Sequence, residues 1–182
     1  MAVREIELLG AEVLRKPAVD VDAVDDELRG LIHDMFETMY DAEGIGLAGP
    51  QIGVSRRVIV VDVREEEQKP FALINPHILD TSKDRDRAEE GCLSIPGVAG
   101  VVERAQKVVV EGLDENGETI RIEADGLLAR CLQHEIDHLE GVLFVDRLSP
   151  LKRNMVLKKY RSLRAEAPDG KPRREPSRRS RR

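Results

Sequence analysis

The run His134-Glu135-Ile136-Asp137-His138 constrains this chain more than any other feature. Two imidazoles four positions apart can serve one cation if the segment is helical. Residues i and i+4 then lie about 40° apart around the axis and about 6 Å apart along it. Glu135 would stand beside the pair, free to take a proton instead of ligating. The competing reading is a solvated helix whose charges coincide by chance. The spacing predicts a helix from about Leu127 to Glu140, stopped by Gly141.

The rest of the chain supplies a setting for that helix. An irregular lead-in over 11–23 is punctuated by Pro17. A first helix is expected after Asp25 or Asp26, with Leu28, Leu31, Ile32, Met35 and Met39 at helical spacing and Gly44 as its stop. Residues 44–53 hold four glycines and one proline and read as a shaped loop. Short β-branched runs follow at 58–63, 71–74, 101–102 and 108–110, while the polar stretch 81–90 reads as a surface loop. Asp114-Glu115-Asn116-Gly117 is a hairpin turn, with the Ile120, Ile122 alternation on its return strand. Ser149-Pro150 opens a third helix expected to run through Tyr160. This order predicts an α+β fold of mostly antiparallel sheets around the His134 helix, not repeated βαβ units.

A metal site needs a third ligand, and its identity sorts the possibilities. One class of zinc peptidases requires a further histidine six residues beyond the second, where this chain has Phe144. Another uses a downstream glutamate; Asp146 lies too close to the first helix and Glu166 too near the tail. The upstream candidate is Cys92, within Glu90-Gly91-Cys92-Leu93-Ser94 and outside any apolar stripe. Its thiolate would be a strong ligand for a soft or borderline cation. Cys131 precedes His134 by three residues and fits a small buried hydrophobe that could line the site without ligating. The 44–53 loop contains G-x-G but lacks the strand-before-helix setting of a dinucleotide fingerprint. Its Gln51 carries a neutral amide able to donate to an oxyanion.

Taken together, Gly44-Ile-Gly-Leu-Ala-Gly-Pro-Gln51, Glu90-Gly-Cys-Leu-Ser94 and Gln133-His-Glu-Ile-Asp-His-Leu-Glu-Gly141 resemble the three motifs of peptide deformylases, in the same order. The resemblance extends over roughly residues 5–160 and includes Val13, Leu14, Pro17 and Val21 of the lead-in. Gly49 departs from it, standing where the family usually has alanine. The resemblance implies removal of the N-formyl group from N-formylmethionyl nascent proteins. It implies Cys92, His134 and His138 as ligands of one divalent metal, natively Fe(II), with Zn(II) or Ni(II) able to occupy the site. It further implies Glu135 as general acid and base, and Gln51 with the Leu93 N–H as oxyanion donors. Backbone groups of Ile45, Gly46 and Gly91 would pair with an extended peptide. Helical spacing aligns Leu127, Arg130, Cys131 and His134 in a row, so Leu127 and Cys131 are expected to line the substrate pocket, with the Arg130 stem at its rim. A core role for Leu127 is the alternative.

Composition bounds the setting. A chain of 182 residues, 35% of them charged and with a net charge of −6, suits one soluble domain and argues against a globally basic nucleic-acid binder. Two cysteines make no disulfide scaffold, and neither a secretory leader nor a membrane span is legible, so a reducing cytoplasm is expected. Residues 1–167 are expected to form the catalytic domain and 168–182 a disordered basic tail. Over 161–182, nine cationic side chains face three acidic ones. The resemblance implies a ribosome partner engaged through the C-terminal region, and such a tail could add attraction for ribosomal RNA phosphates, although it has no aromatic residue to stack on bases; a solvated tail is the alternative. The rival readings are a zinc endopeptidase and a non-catalytic metal- or ribosome-binding module; retention of both Glu135 and Gln51 weighs against the second.

Overall fold

The computed structural model describes residues 2–167; the expected disordered tail lies outside the described residues. Seven strands and three helices follow the lead-in. They are α1 (Asp26–Asp41), β1 (Gly46–Ala48), β2 (Val58–Val61), β3 (Phe71–Thr81), β4 (Arg85–Cys92), β5 (Ile95–Ala105), β6 (Lys107–Leu113), β7 (Thr119–Asp125), α2 (Gly126–Leu139) and α3 (Pro150–Glu166). Every pairing between these strands is antiparallel. They form a five-stranded sheet in the order β1-β2-β3-β6-β7 and a separate β4-β5 ribbon. Among the described residues, no helix is long and apolar enough to cross a membrane.

The β2 sequence explains the layering. Val58, Ile59, Val60 and Val61 are all buried, because the sheet is covered on both faces. Ile59 and Val61 pack with Leu128, Leu132, Ile136 and Leu139 of α2. Val58 and Val60 pack with Leu28, Ile32, Met35 and Met39 of α1. A third cluster joins the ribbon, through Ile95, Val98 and Val102, to Phe144, Leu148 and Tyr160. The helix α2 thus runs between the sheet and the ribbon, which forces even its polar side chains inside.

Three local expectations need revision. Residues 81–90 are not a surface loop: β3 continues through Thr81 and β4 begins at Arg85. Most of this ribbon strand is exposed, so it lacks the alternating apolar signal, and cross-strand pairs such as Arg87–Glu103 stand in for it. The 44–53 segment contains β1 and a 3-10 turn (Gly49–Ile52). The third helix passes Tyr160 and ends at Glu166. Capping is nearer to expectation. Asp25 accepts from the Leu28 N–H at the start of α1, and Ser149 does the same for Lys152 in α3. Past α1 it is Glu43, not Gly44, that takes the left-handed conformation (φ 54°).

Candidate active site

Helix α2 carries His134 and His138 on one face, with ring centroids 4.9 Å apart. Cys92 ends β4, and the tight turn to β5 brings its Sγ to 3.3 Å from His138 Nε2. One ligand atom from each of Cys92, His134 and His138 lies within 4.8 Å of the others. Two imidazoles and a thiol converging this closely fit a single soft or borderline divalent cation. Glu90 Oε2 stands 3.0 Å from His134 Nδ1. A proton held there for the carboxylate leaves Nε2 as the ligating nitrogen and orients the ring. In the metal-free protein, burial, reinforced by His134 and Arg104, holds His138 well below the usual imidazole range, whereas against its own burial His134 is carried well above it by the Cys92 and Glu90 hydrogen bonds. Glu135 Oε2 and His138 Nδ1 are buried with no hydrogen-bond partner among the described residues. Unpaired buried atoms of this kind are expected where the missing partners are not protein.

A cavity of about 760 Å³ opens over these groups. It is lined by Ile45, Gly46, Gln51, Gly91, Cys92, Leu93, Leu127, Arg130, Cys131, His134 and Glu135, while His138 sits behind the wall, 1% exposed. The Glu135 side chain is buried on the cavity wall; burial, then the charges of Glu90 and Asp137, push its carboxyl up to about 7 against the opposing pull of His134 and Arg104. It rests on Gly46, where a Cβ would fall 2.5 Å from Oε1 of Glu135 and 2.8 Å from Sγ of Cys131. No other residue fits there without displacing the carboxylate.

The Gln51 amide has a fixed orientation. Its Oε1 accepts from the Ala48 N–H at 2.9 Å, so its Nε2 must point into the site, 3.3 Å from Ser94 Oγ and 3.6 Å from Cys92 Sγ. Leu93 occupies the turn directly after Cys92. The carbonyl of Ile45 is already engaged by the Asp62 N–H at 2.8 Å and the Cys131 thiol at 3.5 Å. Burial pushes that thiol well up, in keeping with a protonated donor, and Cys131 lies outside the group of ligand atoms that converge within 4.8 Å.

Leu127 is 44% exposed on the cavity wall, which removes the reading of it as core. Arg130 borders the cavity, and its charged end turns away from it. The guanidinium is buried against the ribbon, donating to Glu90 Oε1 (2.7 Å), the Val102 carbonyl (2.9 Å), and the carbonyl and carboxylate of Asp86 (3.0 Å each).

The roles of Glu90, Arg104 and Asp137 are absent from the sequence reading. Arg104 donates through two nitrogens to Glu90 (2.9 Å each) and through a third to Asp137 (2.6 Å). Arg147 closes the network on Asp137 at 2.6 Å. Burial alone would raise the Glu90 carboxyl, but the hydrogen bonds from Arg104 and His134 hold it below the usual range. The available signal was chemical: a metal-binding histidine needs a partner for its second nitrogen, and Glu90 lies in the same motif as Cys92.

Comparison with known proteins agrees with this geometry. The polypeptide deformylase family model matches residues 3–154. A peptide deformylase of Thermodesulfovibrio yellowstonii is 52% identical over 164 residues, spanning 89% of this chain and 99% of that protein. One from Chromohalobacter salexigens is 57% identical over 148 residues, or 81% and 87%. The crystal structure of a peptide deformylase from Legionella pneumophila superposes with a TM-score of 0.84 at 50% identity, covering 92% of this chain and all of that one. That of Synechococcus elongatus, in complex with actinonin, gives 0.83 at 48% identity, over 94% and 92%. The chain belongs to the polypeptide deformylase family.

Proposed function

We propose that this chain hydrolyses the formyl amide at N-formylmethionyl termini of newly made proteins, with residues 1–167 as the catalytic unit. The observation that carries the reading is the convergence of Cys92, His134 and His138 within 4.8 Å, beneath a cavity that also holds Glu135 and Gln51. When bound by these three side chains, a divalent cation lowers the pKa of water towards neutrality and polarises a carbonyl oxygen. Glu135 takes the proton from the attacking water and passes it to the departing amine, so that formate and a free N-terminus result. The Gln51 amide and the Leu93 N–H donate to the oxygen on which negative charge gathers. Removing one such donor costs about 3–4 kcal/mol of transition-state stabilisation. The half-exposed Leu127 and the Cys131 side chain line the wall that takes the methionine, while backbone groups of Ile45, Gly46 and Gly91 hold the extended peptide.

The thiolate and imidazole donor set suits Fe(II) and equally admits Zn(II) or Ni(II). Fe(II) is the ion expected in the cytoplasm, and activity is expected to fall in air because a thiolate and ferrous iron both react with oxidants. Equal turnover with Zn(II) and Fe(II), together with indifference to oxygen, would count against that assignment. The basic tail is proposed to add ribosome affinity. Deleting residues 168–182 should weaken salt-sensitive co-sedimentation with ribosomes, and unchanged binding would end the idea. Formate release from a formyl-Met peptide by the wild type and by Glu135→Ala, with metal content measured on both, tests the catalytic assignment. Full turnover by a metal-replete variant would refute it.

A further inference from the structure

Among the described residues the segment 2–9 pairs with no strand, yet four of its amides, those of Ala2, Arg4, Glu7 and Leu9, are spent on two different parts of the molecule. At its first half, the Ala2 N–H donates to Asp34 Oδ1 and the Arg4 N–H to Thr38 Oγ1, both at 2.9 Å. The Arg4 guanidinium adds two bonds to Asp34 Oδ2, at 2.9 and 2.7 Å. All three contacts fall on α1. At its second half, the Glu7 N–H donates to the Gln51 carbonyl and the Leu9 N–H to the Ser94 carbonyl, each at 2.8 Å. Those two carbonyls belong to one oxyanion donor, Gln51, and to the residue directly after the other, Leu93.

We propose that residues 2–9 brace the oxyanion donors, and that Arg4 with Asp34 is a positioning pair that tensions the brace from α1. The proposal rests on the deformylase reading of Gln51 and Leu93. Two features make the brace matter. Gln51 sits in a 3-10 turn and Ser94 in the turn that joins β4 to β5, and the side-chain bond between them is a long one at 3.3 Å. The segment therefore adds a second, backbone tie between elements that must stay in register. Its packing against the body leaves a gap: a cavity of about 270 Å³ is lined by Val3, Ile6 and Leu8 of the segment together with Thr38, Leu93 and Pro96. Where packing is incomplete, hydrogen bonds at the two ends set the position. Asp34 is held below the usual carboxyl range chiefly by Arg4 and by the Ala2 amide.

Arg4, Asp34 and Thr38 touch none of the reacting groups, so a displaced brace should alter turnover more than substrate capture. The test compares Arg4→Ala, Asp34→Asn, the double variant and Arg4→Lys with the wild type. Formate release from a formyl-Met peptide, metal content and thermal midpoint are measured on each. Arg4→Ala and Asp34→Asn should each lower kcat by about tenfold to a hundredfold, as small misplacements of catalytic donors do. KM and metal content should stay within about twofold, a split that follows from losing an interaction made in the transition state. The double variant should be no worse than the weaker single, because the two side chains act as one anchor. Arg4→Lys should recover part of the loss. If kcat is unchanged while the thermal midpoint falls, the segment is only structural and the proposal is overturned. Loss of metal in parallel with kcat would overturn it as well. A wild type that released no formate would instead contradict the deformylase reading itself.

Discussion

Replacing Arg104 with leucine would remove the centre of a buried charge network. The guanidinium is 4% exposed and is the shared partner of Glu90 and Asp137, whose side chains are 5% and 13% exposed. The variant keeps Arg130 and His134 on Glu90 and Arg147 on Asp137, but leaves the two carboxylates short of three charge-assisted hydrogen bonds. Breaking a buried pair by removing one partner costs about 3–5 kcal/mol. With a urea dependence of about 2 kcal/mol per molar, the unfolding midpoint should fall by about 1.5–2.5 M. The assay is urea unfolding of metal-free protein, so that ion binding to the native state does not mask the loss. The pH dependence gives a second readout. The folded Glu90 carboxyl lies below its unfolded value near 4.5, so its contribution is complete above that pH and is lost as pH falls through the folded value. In Arg104→Leu the burial effect on Glu90 is less opposed, its carboxyl moves up, and the loss of stability below about pH 4.5 should flatten. A midpoint shift worth under about 1 kcal/mol, with the acid limb unchanged, would refute the view that this network is held together by Arg104.

Other substitutions probe the site from different sides. Gly46→Ala puts a methyl group on the Glu135 carboxylate, so kcat should fall with metal content unchanged, and overpacking should destabilise by about 1–3 kcal/mol in a melt. Arg130→Met removes four hydrogen bonds between α2 and the ribbon that bears Cys92; release of Zn(II) to a chelator should quicken by about tenfold to a hundredfold, whereas an unchanged rate would assign Arg130 to stability alone. Leu127→Lys should raise KM for formyl-Met peptides while leaving stability within about 0.5 kcal/mol, since the side chain is half-exposed; an unaltered KM would remove Leu127 from the substrate wall.

Much of the site could be read from residue types because its chemistry is local. The spacing of His134 and His138, the acid between them and a thiol outside any apolar stripe each carry their meaning without a fold. The helices were equally legible where capping residues and apolar spacing agreed, as at Asp25 and Ser149. The ribbon was not, because β4 has water on most of its surface and its stability comes from pairing with β5, which leaves no periodic trace in its own sequence. Arg130 shows a different gap. Helical spacing placed it beside the site, but spacing cannot say where a long side chain ends, and its charge turned inward to Glu90 and Asp86. Arg104 and residues 2–9 were invisible for a related reason: their partners lie 14 to 85 positions away and no motif joins them.

X-ray absorption at the zinc edge, on protein reconstituted with one Zn(II) per chain, bears most directly on the central geometry. One sulfur at about 2.3 Å and two nitrogens at about 2.0–2.1 Å are expected, with the sulfur shell lost in Cys92→Ser. A first shell of nitrogen and oxygen alone in the wild type, or a sulfur shell that survives in Cys92→Ser, would contradict the convergence of the thiol and the paired imidazoles on one ion.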